Sequence, residues 1–240
     1  MLLDAHCHID QYRDPPSIAE SCERQGILTV AVTNLPSHYK MGIEHIAHLR
    51  HVKMALGLHP LAVAKQGREL DQFLRLVPEV SHVGEIGLDF SREGLGSKDQ
   101  QLTAFRAIIK AISGTRKFVS LHSRGAEETV LDILDEFQVK MAVFHWYSGP
   151  LTVLDRAIAA GFYFSVNPAM IRSDKGQRIL GRIPRDRVMT ETDGPYVKLG
   201  SRPAEPRDVA EVIAFLARVW GLSVEDASAR VLDNYRQIVP

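Results

Sequence analysis

His6 and His8 stand two residues apart behind a short apolar run. In extended chain that spacing sends both imidazoles to one side, where they can grip a single metal ion. Such a pair also arises by chance with both rings solvated, so its meaning depends on what else the chain offers. Further along, His59, Glu85, His122, His145 and Asp193 each come at or just after the end of another short apolar run. Glu85 lies in Gly84-Glu85-Ile86-Gly87-Leu88-Asp89, where the glycines permit close approach and a carboxylate at a buried strand end demands a cation. Alone it would be half of an ion pair; with four histidines nearby, a bridging metal ligand is the better reading. His122 and His145, taken singly, are hydrogen-bonded core histidines, but at equivalent strand ends they are not independent. Asp193, in Glu191-Thr192-Asp193-Gly194-Pro195, can ligate an ion and accept a proton from bound water, with Glu191 either a ligand or a support. His45, His48 and His51 are also spaced along a helix, but Glu44 and Arg50 around them mark a solvated face.

The elements that must position these groups are eight apolar, β-branched runs: Met1 to Ala5, Ile27 to Thr33, Val52 to Leu58, His82 to Ile86, Phe118 to Leu121, Met141 to Phe144, Phe162 to Val166 and Val188 to Thr190. Stretches of helical period lie between them, such as Val130, Leu131, Leu134 and Phe137, or Leu151, Leu154, Ala157 and Ile158. After the last strand, Val209, Val212, Ile213, Leu216 and Val219 form one stripe, and Ser223 is placed to cap a closing helix. Eight alternating units predict an α/β fold, a single (β/α)8 TIM barrel over residues 1–240, with its site at the C-terminal face of the strands. Met54 and Phe105 read as core.

Apolar residues make up 45% of the chain and charged residues 24%, the composition of an ordinary globular protein. Basic and acidic residues number 29 each, so any polyanion site must be local. Cys7 and Cys22 are too few for a disulfide framework and their separation fits neither a zinc knuckle nor a redox pair, which suits a reducing, cytoplasmic location. The N-terminus runs straight into Leu2, Leu3 and Asp4 without a basic n-region, and no stretch approaches membrane-spanning length; export or insertion is not expected.

In order along nearly the whole chain, Asp4-Ala5-His6-Cys7-His8, Gly57-Leu58-His59-Pro60, Gly84-Glu85-Ile86-Gly87-Leu88-Asp89, His122-Ser123-Arg124, His145-Trp146-Tyr147-Ser148-Gly149 and Glu191-Thr192-Asp193-Gly194-Pro195-Tyr196 resemble the TatD-related metal-dependent DNases, a branch of the amidohydrolase-like metal barrels. The resemblance implies two divalent metal ions, one held by His6, His8, Glu85 and Asp193 and the second by Glu85, His122 and His145. It implies catalytic roles for Asp193, Glu85 and His59, substrate contacts from His59 and Arg124, and a supporting role for Asp89 in orienting a ligand. The activity implied is hydrolysis of DNA phosphodiesters, removing nucleotides from a strand end, with DNA as partner, single-stranded or at strand ends. Mixed nitrogen and oxygen donors favour zinc or manganese over magnesium.

Three segments depart from the family pattern. The stretch Phe90 to Ser97 is shorter than the usual loop, Ala204 stands where asparagine is usual, and Ser165 leads into Val166-Asn167-Pro168 where a glycine is expected. Shortened relatives of this kind resemble the Qat type of antiphage defence, which implies protein partners encoded in a defence operon. Two other readings stay open. One is a hydrolase of a small-molecule ester or amide, favoured by zero net charge and by few base-stacking aromatics, with Trp146 and Tyr147 the main exceptions. The other is a metal-bound scaffold subunit, against which the complete ligand set argues.

Overall fold

A computed structural model describes residues 1–65 and 68–240. Short buried strands alternate with helices from end to end: β1 (Leu3–Cys7), α1 (Pro15–Gln25), β2 (Leu28–Ala31), α2 (Pro36–Ile46), β3 (Val52–Met54), β4 (Leu56–Leu58), α3 (Pro60–Val63), α4 (Arg68–Leu76), β5 (His82–Gly87), α5 (Lys98–Ile112), β6 (Phe118–His122), α6 (Glu127–Glu136), β7 (Val143–His145), α7 (Leu151–Ala159), β8 (Tyr163–Val166), α8 (Pro168–Arg172), α9 (Asp174–Leu180) and β9 (Val188–Thr190). A hairpin of β10 (Lys198–Leu199) and β11 (Arg202–Pro203) follows, then α10 (Val209–Trp220) and α11 (Val224–Ile238).

All strand pairs from β1 to β3 and from β4 to β9 are parallel and sequential, which is the order of a (β/α)8 barrel. The expected third strand, Val52 to Leu58, is broken at Ala55 into β3 and β4, so the ladder divides there. Thr33 spans the break: its hydroxyl donates to Ala55 O at 2.9 Å and accepts from Gly57 N at 3.1 Å, while its carbonyl accepts from Glu85 N at 3.1 Å. The ring closes between the last strand and the first, where Thr190 Oγ1 donates to Leu3 O and Asp193 N donates to His6 O at 2.9 Å. Asp4 tightens the same seam by accepting from Thr192 N at 2.9 Å and Thr192 Oγ1 at 2.5 Å.

Because helices cover one side of each strand and the barrel interior the other, the strands are buried throughout and read as unbroken apolar runs rather than alternating ones. Phe105, Ile108 and Ile109 of α5 and Val130, Leu131 and Leu134 of α6 pack on that surface, each fully buried side chain stabilising the fold by about 1.5–3 kcal/mol. Ser223 caps α11 as its position predicts, accepting from Asp226 N at 3.0 Å. Met54 is only half-buried, at the edge of a smaller cluster under α1 with its methyl over Gly42. Strand limits shift as well. β1 ends two residues beyond the expected run and takes in His6, and His122 and His145 are the last residues of β6 and β7 rather than the first after them. His45 and His48 are exposed on the last turn of α2 and just beyond it.

Candidate metal centre

Glu85 is the hub. It is 2% exposed near the C-terminal end of β5, and five imidazoles surround its carboxylate. Oε1 lies 2.6 Å from His122 Nδ1 and 3.1 Å from His145 Nε2. Oε2 lies 3.3 Å from His8 Nε2 and 3.7 Å from both His6 Nε2 and His59 Nε2. Asp193 closes the other side, its Oδ1 3.7 Å from His6 Nε2 and from His8 Nε2. His6, His8 and Asp193 form one compact donor set, and His6, Glu85 and His145 a second, all of them buried. His59, Glu85 and His122 form a third at the open side. The pair spaced by two meets as expected, with Nε2 atoms 3.2 Å apart, and the His6 ring stacks on His145 at 3.9 Å between centroids.

Other side chains aim these rings. Ser120 Oγ lies 2.7 Å from His6 Nδ1, leaving His6 Nε2 turned into the site. Asp89 Oδ2 lies 2.8 Å from His122 Nε2, and Asp89 is itself held by Ser91 N at 2.8 Å and, through its backbone N–H, by Gln101 Oε1 at 2.8 Å. Glu191 is fully buried, 3.5 Å from His145 Nδ1, and both its oxygens are occupied. Trp146 N and Asn167 Nδ2 donate to Oε1 at 3.1 Å each, and Ser165 Oγ donates to Oε2. Asn167 both grips Glu191 and caps α8 by accepting from Met170 N at 3.0 Å. Ser120, Ser165, Asn167 and Gln101 carry no motif spacing of their own and were not legible as site residues.

The electrostatics demand positive charge. Burial disfavours a charged Glu85, yet His59, His145 and His122 hold its carboxyl well below the usual range. Against the same burial, the Glu191 and Glu85 carboxylates push His145 well above an ordinary imidazole, and Glu85 and Asp89 raise His122. Without a cation, protons stand in for one between these groups. Imidazole nitrogens and carboxylate oxygens converging in this way are the donor set of a divalent transition metal, so the residues fit the group the motifs imply. Asp193 is pushed up to about 7, chiefly by burial.

His59 caps α3, its Nδ1 accepting from Leu61 N at 3.2 Å. Burial holds it at about 4, so the ring is neutral with its proton on Nε2, which faces the site as a donor. Arg124 stands exposed on the rim of a cleft of about 790 Å³ over the centre, together with Lys65, Trp146 and Tyr196. Tyr147 does not face this cleft. It is buried against Phe144 and Phe164 and donates to Pro150 O at 2.7 Å, which corrects its place among exposed stacking aromatics. Ala204 is fully buried beside Gly194, its carbonyl accepting from Tyr12 Oη.

A parallel barrel with imidazoles and carboxylates gathered at its strand ends defines a metal-dependent hydrolase. The chain matches the family model of the TatD related DNases over residues 3–240, and it belongs to that family, whose members are metal-dependent hydrolases of phosphodiester bonds. It is 26% identical to the deoxyribonuclease TATDN3 of Homo sapiens, with 100% of this chain and 94% of the relative covered. It is 30% identical to the 3'-5' ssDNA/RNA exonuclease TatD of Enterobacter lignolyticus over 76% of this chain and 75% of that one. The TatD homologue YJJV of Escherichia coli superposes with a TM-score of 0.88 at 22% identity, over 99% of this chain and 97% of the other, and has the same fold.

Proposed function

We propose that the chain, as one domain over residues 1–240, hydrolyses DNA phosphodiesters at the ends of unpaired strands in the manner of an exonuclease. The observation that carries the reading is the buried Glu85 carboxylate with five imidazoles within 3.7 Å at the floor of a cleft that has Arg124 and Lys65 on its rim. His6, His8, Glu85 and Asp193 would hold one divalent ion, and Glu85, His122 and His145 a second, with zinc or manganese favoured by the donor types. When bound, such ions polarise a phosphoryl oxygen and make water acidic enough to attack near neutral pH.

The chain's own residues do the rest. Asp193 accepts a proton from the attacking water, its carboxylate standing beside His6 and His8 at the mouth of the last strand. His59 donates from Nε2 to a phosphoryl or leaving-group oxygen, and Arg124 meets the charge that develops there. Asp89 and Glu191 fix the rings of His122 and His145. A cytoplasmic location is supported by two free, buried cysteines; no helix among the described residues is long and apolar enough to cross a membrane. A place in antiphage defence, with operon-encoded partners, is supported by the shortened segment after Asp89 and by Ala204.

The test uses oligonucleotides labelled at either end, with manganese. A ladder that shortens from one end of single-stranded DNA, and is absent in His122→Ala, is expected. Internal cuts only, or no cleavage of any strand by protein loaded with metal, would overturn the exonuclease reading.

A further inference from the structure

Beside His145 the cleft wall carries a side chain that neither packing nor backbone preference accounts for. Trp146 has a φ of +38°, in the left-handed region where a side chain is disfavoured and glycine sits freely. It is held there because its N–H donates to Glu191 Oε1 at 3.1 Å, and Glu191 is pinned by Ser165 and Asn167. The ring returns little to the core: Trp146 is 37% exposed, whereas the neighbouring Tyr147 is 1% exposed. A large aromatic kept in a costly conformation and left in solvent next to a reacting centre points to a ligand. Tyr196 lines the same cleft, 54% exposed, edge-on to His8 at 5.0 Å, its hydroxyl accepting from Asn34 Nδ2 at 3.4 Å. Lys65 and Arg124 supply cations at the rim.

Aromatic faces beside a phosphate-sized, cation-lined site suit unpaired nucleobases, because every base offers a π face once it leaves a duplex. We propose that Trp146 is the stacking platform for the nucleobase adjoining the scissile phosphate, with Tyr196 as the second aromatic wall, so that the site takes unpaired strands and refuses paired ones. This rests on the phosphodiester reading above. Trp146 touches the substrate in this scheme but moves no proton.

Trp220→Phe leaves Trp146 as the sole tryptophan of the two in the chain. In metal-loaded protein, a phosphorothioate hexathymidylate, which resists cleavage, is expected to quench its fluorescence saturably, whereas an abasic hexamer with the same backbone and a blunt duplex do not. Trp146→Gly, which relieves the left-handed backbone, is expected to keep or raise the melting temperature while weakening binding of labelled hexathymidylate about tenfold and leaving the abasic hexamer unaffected. Equal quenching by the abasic hexamer or the duplex would overturn the proposal. So would a Trp146→Gly protein that melts earlier and loses both oligomers in parallel, the mark of a structural role. Cleavage of ordinary single strands without quenching sinks the platform and leaves the nuclease reading standing; quenching without cleavage overturns the nuclease reading and with it the place of Trp146 beside a scissile phosphate, leaving only a base-binding aromatic.

Discussion

At the scale of single residues, the site divides into groups that would face the metal and groups that aim them. Removing Asp89, whose carboxylate lies 2.8 Å from His122 Nε2, should lower metal affinity about 10–100-fold without unfolding the barrel. Equilibrium dialysis of Asp89→Ala against manganese checks this, and unchanged affinity would mean that His122 is positioned by Glu85 alone. Asp193→Asn should lower kcat by about 10²–10⁴ in protein whose fold is intact. Normal turnover with metal bound would remove Asp193 from the proton transfer. The residues that face the centre were legible in the sequence because each is an ionisable type standing at the end of an apolar run, where burial without a partner would be costly. The aiming residues were not, because Ser120, Ser165 and Asn167 are ordinary polar types whose role exists only once β6 meets β1 through the barrel and β8 lies beside β9. Trp146 and Tyr147 illustrate the same limit: adjacent aromatics with no pattern to separate them, one exposed in the cleft and the other sealed against Phe144.

Among the elements, the break between β3 and β4 is a tightly constrained point of the barrel. A Cβ on Gly57 would collide with the Thr33 carbonyl oxygen and come within 2.6 Å of Glu85 N, both of them backbone atoms that cannot swing away. Gly57→Ala should therefore destabilise the fold by about 1–3 kcal/mol or more and displace β5 with the Glu85 it carries. Urea unfolding followed by circular dichroism measures the loss, and an unchanged midpoint would show that the two ladders can separate there at little cost. Eight units were visible in the sequence as apolar runs alternating with helical stripes, since strands buried on both faces leave continuous hydrophobic text. The kink at Ala55 was not, because Val52 to Leu58 reads as one run and only the Thr33 hydroxyl, bonded to Ala55 O and Gly57 N, marks where the chain changes neighbours. Strand limits of one or two residues were equally beyond periodicity; the His6 and His8 pair emerged correctly because alternation depends on spacing and not on where the strand begins.

For the whole molecule, two bulk properties follow. His82, at the end of the barrel opposite the centre, is buried between Ser81 Oγ at 2.8 Å and Tyr235 Oη at 2.7 Å of α11, and burial, aided by Lys53, lowers it to about 4. Its unfolded value is near 6.5, so between those limits the unfolded chain binds the extra proton. The stability it protects is complete above about pH 6.5 and is lost as pH falls toward 4, by about 3 kcal/mol. Urea midpoints measured across that window should fall less steeply in His82→Gln; identical slopes would assign the acid loss elsewhere. With formal net charge zero, attraction for a polyanion must be local, and in the cleft Lys65 and Arg124 supply it. Two such contacts to a single strand give a slope of log affinity on log salt of about −1.4. The central claim, that one buried glutamate organises a two-ion hydrolytic centre, is tested most directly by the metal content of the purified protein set beside that of Glu85→Gln. About two divalent ions per chain in the wild type, with both lost and cleavage abolished in the variant, is the predicted result. Two ions retained by Glu85→Gln, or none taken up by the wild type after reconstitution, would contradict it.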